Sequence, residues 1–150
     1  MALETVLLAV GPNDADRTAR LASTVSDIAG PAGADVIVAH VFTDDEYETV
    51  VDRLKFDSVS EADPDEAADR HTTVRELEEQ LVEAGIESTV RGAVGDHGDE
   101  IVALAEDIDA DLIVVGGRKR SPTGKAVFGS TAQEVMLSSP CPVTFVRSDD

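Results

Sequence analysis

The chain has 150 residues, 42% of them hydrophobic, which is enough apolar material for one core and too short for two ordinary domains, so a single domain over residues 1–150 is expected. Its 31 acidic residues against 12 basic ones give a formal net charge of -19, which excludes non-specific attraction to nucleic acid or to an anionic membrane, since both require a positive surface. The one cysteine, Cys141, excludes an intrachain disulfide and a thiolate metal cluster.

Along the chain, residues 6–10 form a short apolar run that reads as a strand. Nothing before it is a basic leader, and nowhere do about 18 apolar residues follow one another, so a soluble, cytoplasmic protein is expected. Leu21, Val25 and Ile28 then recur at helical spacing, with Asn13 or Asp14 available as N-cap and Gly30-Pro31 as the stop. The run 36–42 is nearly continuous in apolar residues, as expected for a strand buried on both faces of a parallel sheet. Residues 43–62 are acidic, with Tyr47, Val50, Val51 and Leu54 at helical spacing; a short helix over the strand ends and a solvated loop with one amphipathic turn both fit.

Asp63-Pro64-Asp65-Glu66 opens the clearest helix, because Asp63 can cap, Pro64 suits the first turn, Glu66 can reach back, and Val74, Leu77 and Leu81 form a stripe up to Gly85. A strand at 88–91 follows, then a helix from about Gly98 with Ile101, Leu104, Ala105 and Ile108 on one face. A strand at 112–115, a helix from near Ser130 that ends before Pro140, and a last strand at 143–146 complete the pattern. Such alternation implies right-handed crossovers, an open parallel five-stranded sheet with helices on both faces, and a crevice beyond the strand C-termini where the winding reverses.

The stretch 114–133 carries the chemistry. Four of the 12 basic residues, Arg118, Lys119, Arg120 and Lys125, fall within it, and no acid occurs between Asp111 and Glu134. In so acidic a chain that clustering points to an anion. Gly116 and Gly117 would let the backbone turn sharply at the strand end, and Gly129-Ser130-Thr131 would present N–H groups at a helix start, which is how phosphate is commonly held. The bland reading is a capping box of Ser130 and Gln133 after ordinary turn glycines. A Walker A loop is excluded because Lys119 and Ala126 stand where it needs glycine and serine or threonine. Gly92, Gly95 and Gly98 do not have the spacing of the dinucleotide fingerprint. His40, His71 and His97 are far apart without metal-ligand spacing, Cys141 reads as a packed residue, and no serine sits in a nucleophile elbow, so neither catalytic residues nor a metal site are assigned.

The strand 111–116, the long loop to Gly129-Ser130 and the ending Ser139-Pro140-Cys141-Pro142-Val143 resemble the C-terminal half of universal stress proteins of the UspA-like kind. The strands at 7–10 and 36–41, and Gly95-Asp96 before a helix, extend the resemblance over nearly the whole chain. The surplus of acid, with only three lysines beside nine arginines, resembles that of members from haloarchaea. The resemblance implies a Rossmann-like sheet akin to the adenine nucleotide alpha hydrolases, holding ATP or another adenine nucleotide, with Mg entering only alongside it. Adenine would then sit near Val41, with Val10, Gly11 and Pro12 bordering the ligand. Ribose and phosphates would lie along Gly116, Gly117, Arg118 and Lys119, and the terminal phosphates would meet Gly129, Ser130 and Thr131.

Two positions depart from the family pattern: Gly11, followed by Pro12, replaces an acid after the first strand, and Lys119 replaces a glycine. Lys119 either blocks the pocket or supplies charge to it. The resemblance also implies a homodimer paired through the last strand, between Val143 and Val146. The leading expectation is a nucleotide-responsive stress or regulatory module that performs little chemistry. The alternatives are a weak ATPase and a dimeric interaction protein without nucleotide.

Overall fold

A strand of almost unbroken apolar character, β1 (Thr5–Val10), forms the middle of a five-stranded parallel sheet in the computed structural model, which describes residues 3–11, 14–54, 63–117 and 130–147. A short 3-10 turn (Asp14–Arg17) and α1 (Thr18–Ala32) lead to β2 (Asp35–Phe42), then α2 (Asp44–Leu54), α3 (Pro64–Asp69) and α4 (Thr72–Glu83) to β3 (Ser88–Val94). After α5 (His97–Asp107) the chain crosses back to β4 (Leu112–Gly117), and α6 (Ser130–Ser138) leads to β5 (Val143–Arg147). The strand order is β3-β2-β1-β4-β5, so the winding reverses between β1 and β4. All five expected strands are present, and every neighbouring pair is parallel.

Alternation along β1 divides the core. Val6, Leu8 and Val10 join Leu21 and Val25 of α1 and Val74, Leu77 and Leu81 of α4 on one face. Leu7 and Ala9 join Ile101, Leu104 and Ala105 of α5 and Ala132 and Val135 of α6 on the other. Leu7 and Leu8 are both fully buried, each worth about 1.5–3 kcal/mol of transfer free energy, which is why a strand with helices on both sides reads as a continuous apolar run. A third cluster of Phe42, Tyr47, Val51, Ala67 and Ala68 packs α2 and α3 at the C-terminal end of β2. Of the two readings of the acidic segment, the helix therefore holds for Asp44–Leu54, while Lys55 and residues 56–62 lie outside the described residues. Among the described residues, no helix is long and apolar enough to cross a membrane.

Two helix boundaries differ from expectation. α1 runs past Gly30-Pro31 to Ala32 and stops at Gly33, whose φ of 66° allows its N–H to reach the carbonyls of Ala29 and Gly30. Pro31 stands in the last turn, where it removes only one helical bond, and the left-handed glycine ends the helix. The helix expected from Asp63 to Gly85 is two helices, broken at Arg70 and His71. Asp63 caps α3 by accepting from the Asp65 N–H at 3.0 Å, but Glu66 pairs with Arg70 rather than reaching back. α3 is pressed onto β3, where the Gly92 N–H donates to Asp65 Oδ1 at 2.7 Å and a Cβ on Gly92 would collide with the Pro64 carbonyl. α4 instead lays its stripe against α1. One straight helix cannot satisfy both contacts, and the break at His71 lets each form.

Candidate functional site

The reversal between β1 and β4 brings the C-terminal ends of these strands together, and the turn after β1 determines what lies between them. The Asp14 N–H donates to the Gly11 carbonyl at 3.2 Å, and the Asp14 carboxylate reaches back to accept the Gly11 N–H at 2.6 Å. This is the reciprocal half of a capping box, so Asp14 serves the 3-10 turn, while α1 itself begins after Arg17 without a side-chain cap. Arg17 folds over the same carboxylate, with Nε 2.7 Å from Asp14 Oδ1, and its guanidinium donates to the Gly117 carbonyl at the end of β4. Asp14 is only 4% exposed and Arg17 8%, so a buried ion pair links the two strand ends. Burial pushes the Asp14 carboxyl above its usual range, against the downward pull of the Gly11 N–H and Arg17.

Gly116 and Gly117 do not turn the chain. Both lie within β4, paired with Val146 and Arg147, and neither has a positive φ. Their glycine identity comes from close approach: a Cβ on Gly116 would stand 2.7 Å from Asp14 Oδ1 and 2.9 Å from Arg17 Cδ, and one on Gly117 would enter the Phe145 ring. Val10 and Val41 are buried on opposite faces, Val10 against α1 and α4 and Val41 with Ala132 of α6. Thr131 is half-buried in the first turn of α6. Pro12, Arg118, Lys119, Arg120, Lys125, Gly129 and the Ser130 side chain lie outside the described residues. The structure thus gathers Val10, Gly11, Gly116 and Gly117 where the ends of β1 and β4 meet, with Val41 and Thr131 on the α6 side of the sheet. To these it adds Asp14 and Arg17, which sequence reasoning missed as site residues. Their only signal was an acid and a base three apart just beyond a strand.

The histidines are not isolated. His40, at the end of β2, directs Nδ1 to the Val10 carbonyl at 2.8 Å, and its ring centroid lies 4.2 Å from that of His71, which the break between α3 and α4 turns inward. Burial above all, and then His71, lower the His40 pKa to about 4, against the Val10 carbonyl and Glu46, which raise it. His71 is lowered as well, by burial and then by Arg53. His97 Nε2 lies 2.9 Å from Glu46 Oε1. Burial would raise the Glu46 carboxyl, but the Thr43 N–H and His97 outweigh it and hold the group below its usual value. Separately, Asp96, Asp99 and Glu134 place carboxylate oxygens within 4.8 Å of one another where α5 meets α6. Hydrogen bonding with Asp99, the first cause, raises the Glu134 carboxyl.

The model of the universal stress protein family matches residues 2–147. The chain is similar to a universal stress protein of Mycolicibacterium smegmatis, 37% identical over 79 residues that make up 52% of this chain and 61% of that one. That match spans less than two thirds of the relative's length. It is also similar to a universal stress protein of Thermus aquaticus, 31% identical over 144 residues covering 96% of this chain and 98% of that one. A universal stress protein solved in complex with cAMP shares the fold at a TM-score of 0.67, with 23% identity over 99% of this chain and 100% of that one. One from Archaeoglobus fulgidus solved with dAMP does so at 0.56, with 21% identity over 97% and 99%.

Proposed function

This chain belongs to the universal stress protein family, and we propose that it is a nucleotide-binding regulatory module of the stress response, taking ATP or AMP at the C-terminal edge of its sheet. The observation that carries the reading is the junction of the β1 and β4 ends, where the winding reverses and the Gly11 N–H and the Arg17 guanidinium, an amide and a cation suited to phosphate, converge on the Asp14 carboxylate. The described residues fit such a ligand: Gly11, Arg17, Gly116 and Gly117 would border ribose and phosphate, and Val41 the base, with Thr131 at the start of α6. Pro12, Arg118, Lys119, Gly129 and Ser130 would complete the phosphate end, and Mg would enter only with the nucleotide. The cAMP and dAMP complexes of the structural neighbours support an adenine ligand. The bound nucleotide supplies a signal of occupancy; hydrolysis is at most weak, because the stretch 112–133 contains no carboxylate to orient water and the Asp14 carboxylate is tied to the Gly11 N–H and Arg17.

The protein acts in the cytoplasm as a homodimer joined along β5, an edge strand whose Val143 and Phe145 are only half-buried within one copy. Its net charge of -19 suits concentrated salt, as in haloarchaeal members. One observation favours a second reading, a dimeric interaction protein without nucleotide: Asp14 and Arg17 already fill the space beside Gly116. Chromatography of small molecules released by denaturing freshly purified protein separates the two. An adenine nucleotide is expected in the released fraction; its absence, together with no binding of millimolar ATP or AMP, overturns the proposal.

A further inference from the structure

We infer that the junction of the β1 and β4 ends is an oxyanion site kept closed by the chain's own carboxylate, Asp14, which a phosphate group must displace to bind. The inference rests on the nucleotide reading only for the identity of the ligand that carries the phosphate. The donors around Asp14 are the ones a phosphate oxygen requires. The Gly11 N–H has no side chain of its own to guard it, and it donates at 2.6 Å. The Arg17 guanidinium sits 2.7 Å from the same carboxylate. A planar guanidinium matches phosphate as well as carboxylate, and the charge of both partners strengthens the bonds.

Arg17 does not depend on Asp14 alone for its position. It also donates to the Gly117 carbonyl, so the cation stays at the strand end when the carboxylate swings away. Gly116 leaves room for this arrangement, since a Cβ there would stand 2.7 Å from Asp14 Oδ1 and 2.9 Å from Arg17 Cδ. Asp14 opens a four-residue 3-10 turn that Arg17 closes, so rotation of the Asp14 side chain outward vacates the position while the turn and Arg17 stay in place. The raised Asp14 pKa agrees, because burial costs the carboxylate more than Gly11 and Arg17 return. The consequence is an intramolecular competitor that sets a threshold: weak or dilute oxyanions leave the site shut.

Asp14→Asn keeps the shape and the carbonyl oxygen that accepts from Gly11 but removes the competing charge. Isothermal titration of wild type, Asp14→Asn and the double variant Asp14→Asn with Arg17→Gln uses three probes at fixed potassium chloride: inorganic phosphate, AMP and adenosine. Asp14→Asn is expected to bind phosphate and AMP about tenfold more tightly than wild type, a 1.4 kcal/mol change. The double variant is expected to lose that gain, and adenosine is expected to respond to neither change. Equal affinity of wild type and Asp14→Asn for both anions overturns the inference, and AMP binding by wild type in that case leaves the nucleotide reading intact. Phosphate binding that tightens in Asp14→Asn without any binding of AMP or adenosine supports the oxyanion site and defeats the nucleotide reading. Should Asp14→Asn not fold, the wild-type Gly11 amide and Arg17 Nε–H resonances are followed during phosphate titration; both are expected to shift together, and unmoved resonances at saturating phosphate overturn the inference.

Discussion

His40 is buried, 4% exposed, with Nδ1 on the Val10 carbonyl and its ring over that of His71, so acidification places a proton where neither water nor an aligned anion receives it. The groups facing it are His71 at the break between α3 and α4, Glu46 on α2 and His97 on α5. The folded state lowers the His40 pKa from 6.5 to about 4, so its neutral form stabilises the fold fully above pH 6.5, and that contribution is lost as pH falls toward 4. At about 1.4 kcal/mol per tenfold change in proton affinity, the gap amounts to about 3 kcal/mol, a large part of an ordinary stability of about 5–15 kcal/mol. Acid also relieves the repulsion of a chain at -19, which works in the opposite direction, so the comparison must be made against a variant. His40→Asn keeps a donor for the Val10 carbonyl and cannot titrate. Urea unfolding in molar potassium chloride at pH 7.5, 5.5 and 4.5 should show wild type losing about 2–3 kcal/mol more than His40→Asn between the extremes. Parallel losses in the two proteins would mean that burial of neutral His40 does not set the acid sensitivity.

Stability should rise with salt, since the Debye length falls from about 10 Å at 0.1 M to about 3 Å at 1 M and with it the self-repulsion; a thermal midpoint that is flat or falling up to molar potassium chloride contradicts this. Gly92→Ala should cost at least about 2–3 kcal/mol in chemical denaturation, because the new Cβ meets the rigid Pro64 backbone rather than a side chain that can rotate; a loss under about 0.5 kcal/mol would mean that α3 does not press on β3 as described. Light scattering in molar salt should give the mass of a dimer, and Phe145→Asp on the edge strand should shift it toward monomer; a wild-type monomer at all concentrations removes β5 as an interface.

What the sequence showed and what it hid have separate physical causes. The strands were legible because a parallel sheet covered on both faces leaves no polar alternation, as in Leu7-Leu8-Ala9. The helical stripe of Val74, Leu77 and Leu81 was legible for the same reason, being set by burial alone. The break at His71 was not, because His71, Thr72 and Thr73 are only mildly poor helix formers and the rival contacts with β3 and α1 decide where the helix divides. Gly116 and Gly117 were expected to turn the chain, yet they are extended, and the constraint on them comes from Asp14, Arg17 and Phe145, which are distant in sequence. His40 and His71 likewise lack any spacing signal, since the break and the strand bring them together. Asp14 could be read as a cap; that its carboxylate would also meet a buried arginine anchored on Gly117 is a tertiary fact.

An adenine nucleotide held at the C-terminal edge of the sheet must touch the residues gathered there. Backbone amide NMR of the isotope-labelled protein in molar potassium chloride, titrated with AMP and then ATP to millimolar concentration, reads this residue by residue. Saturable shifts are predicted at Val10, Gly11, Val41, Gly116, Gly117 and Thr131, with the strand starts near Thr5 and Asp35 unmoved. A spectrum that does not change, or one whose changes lie at the opposite end of the sheet, contradicts nucleotide binding at these strand ends.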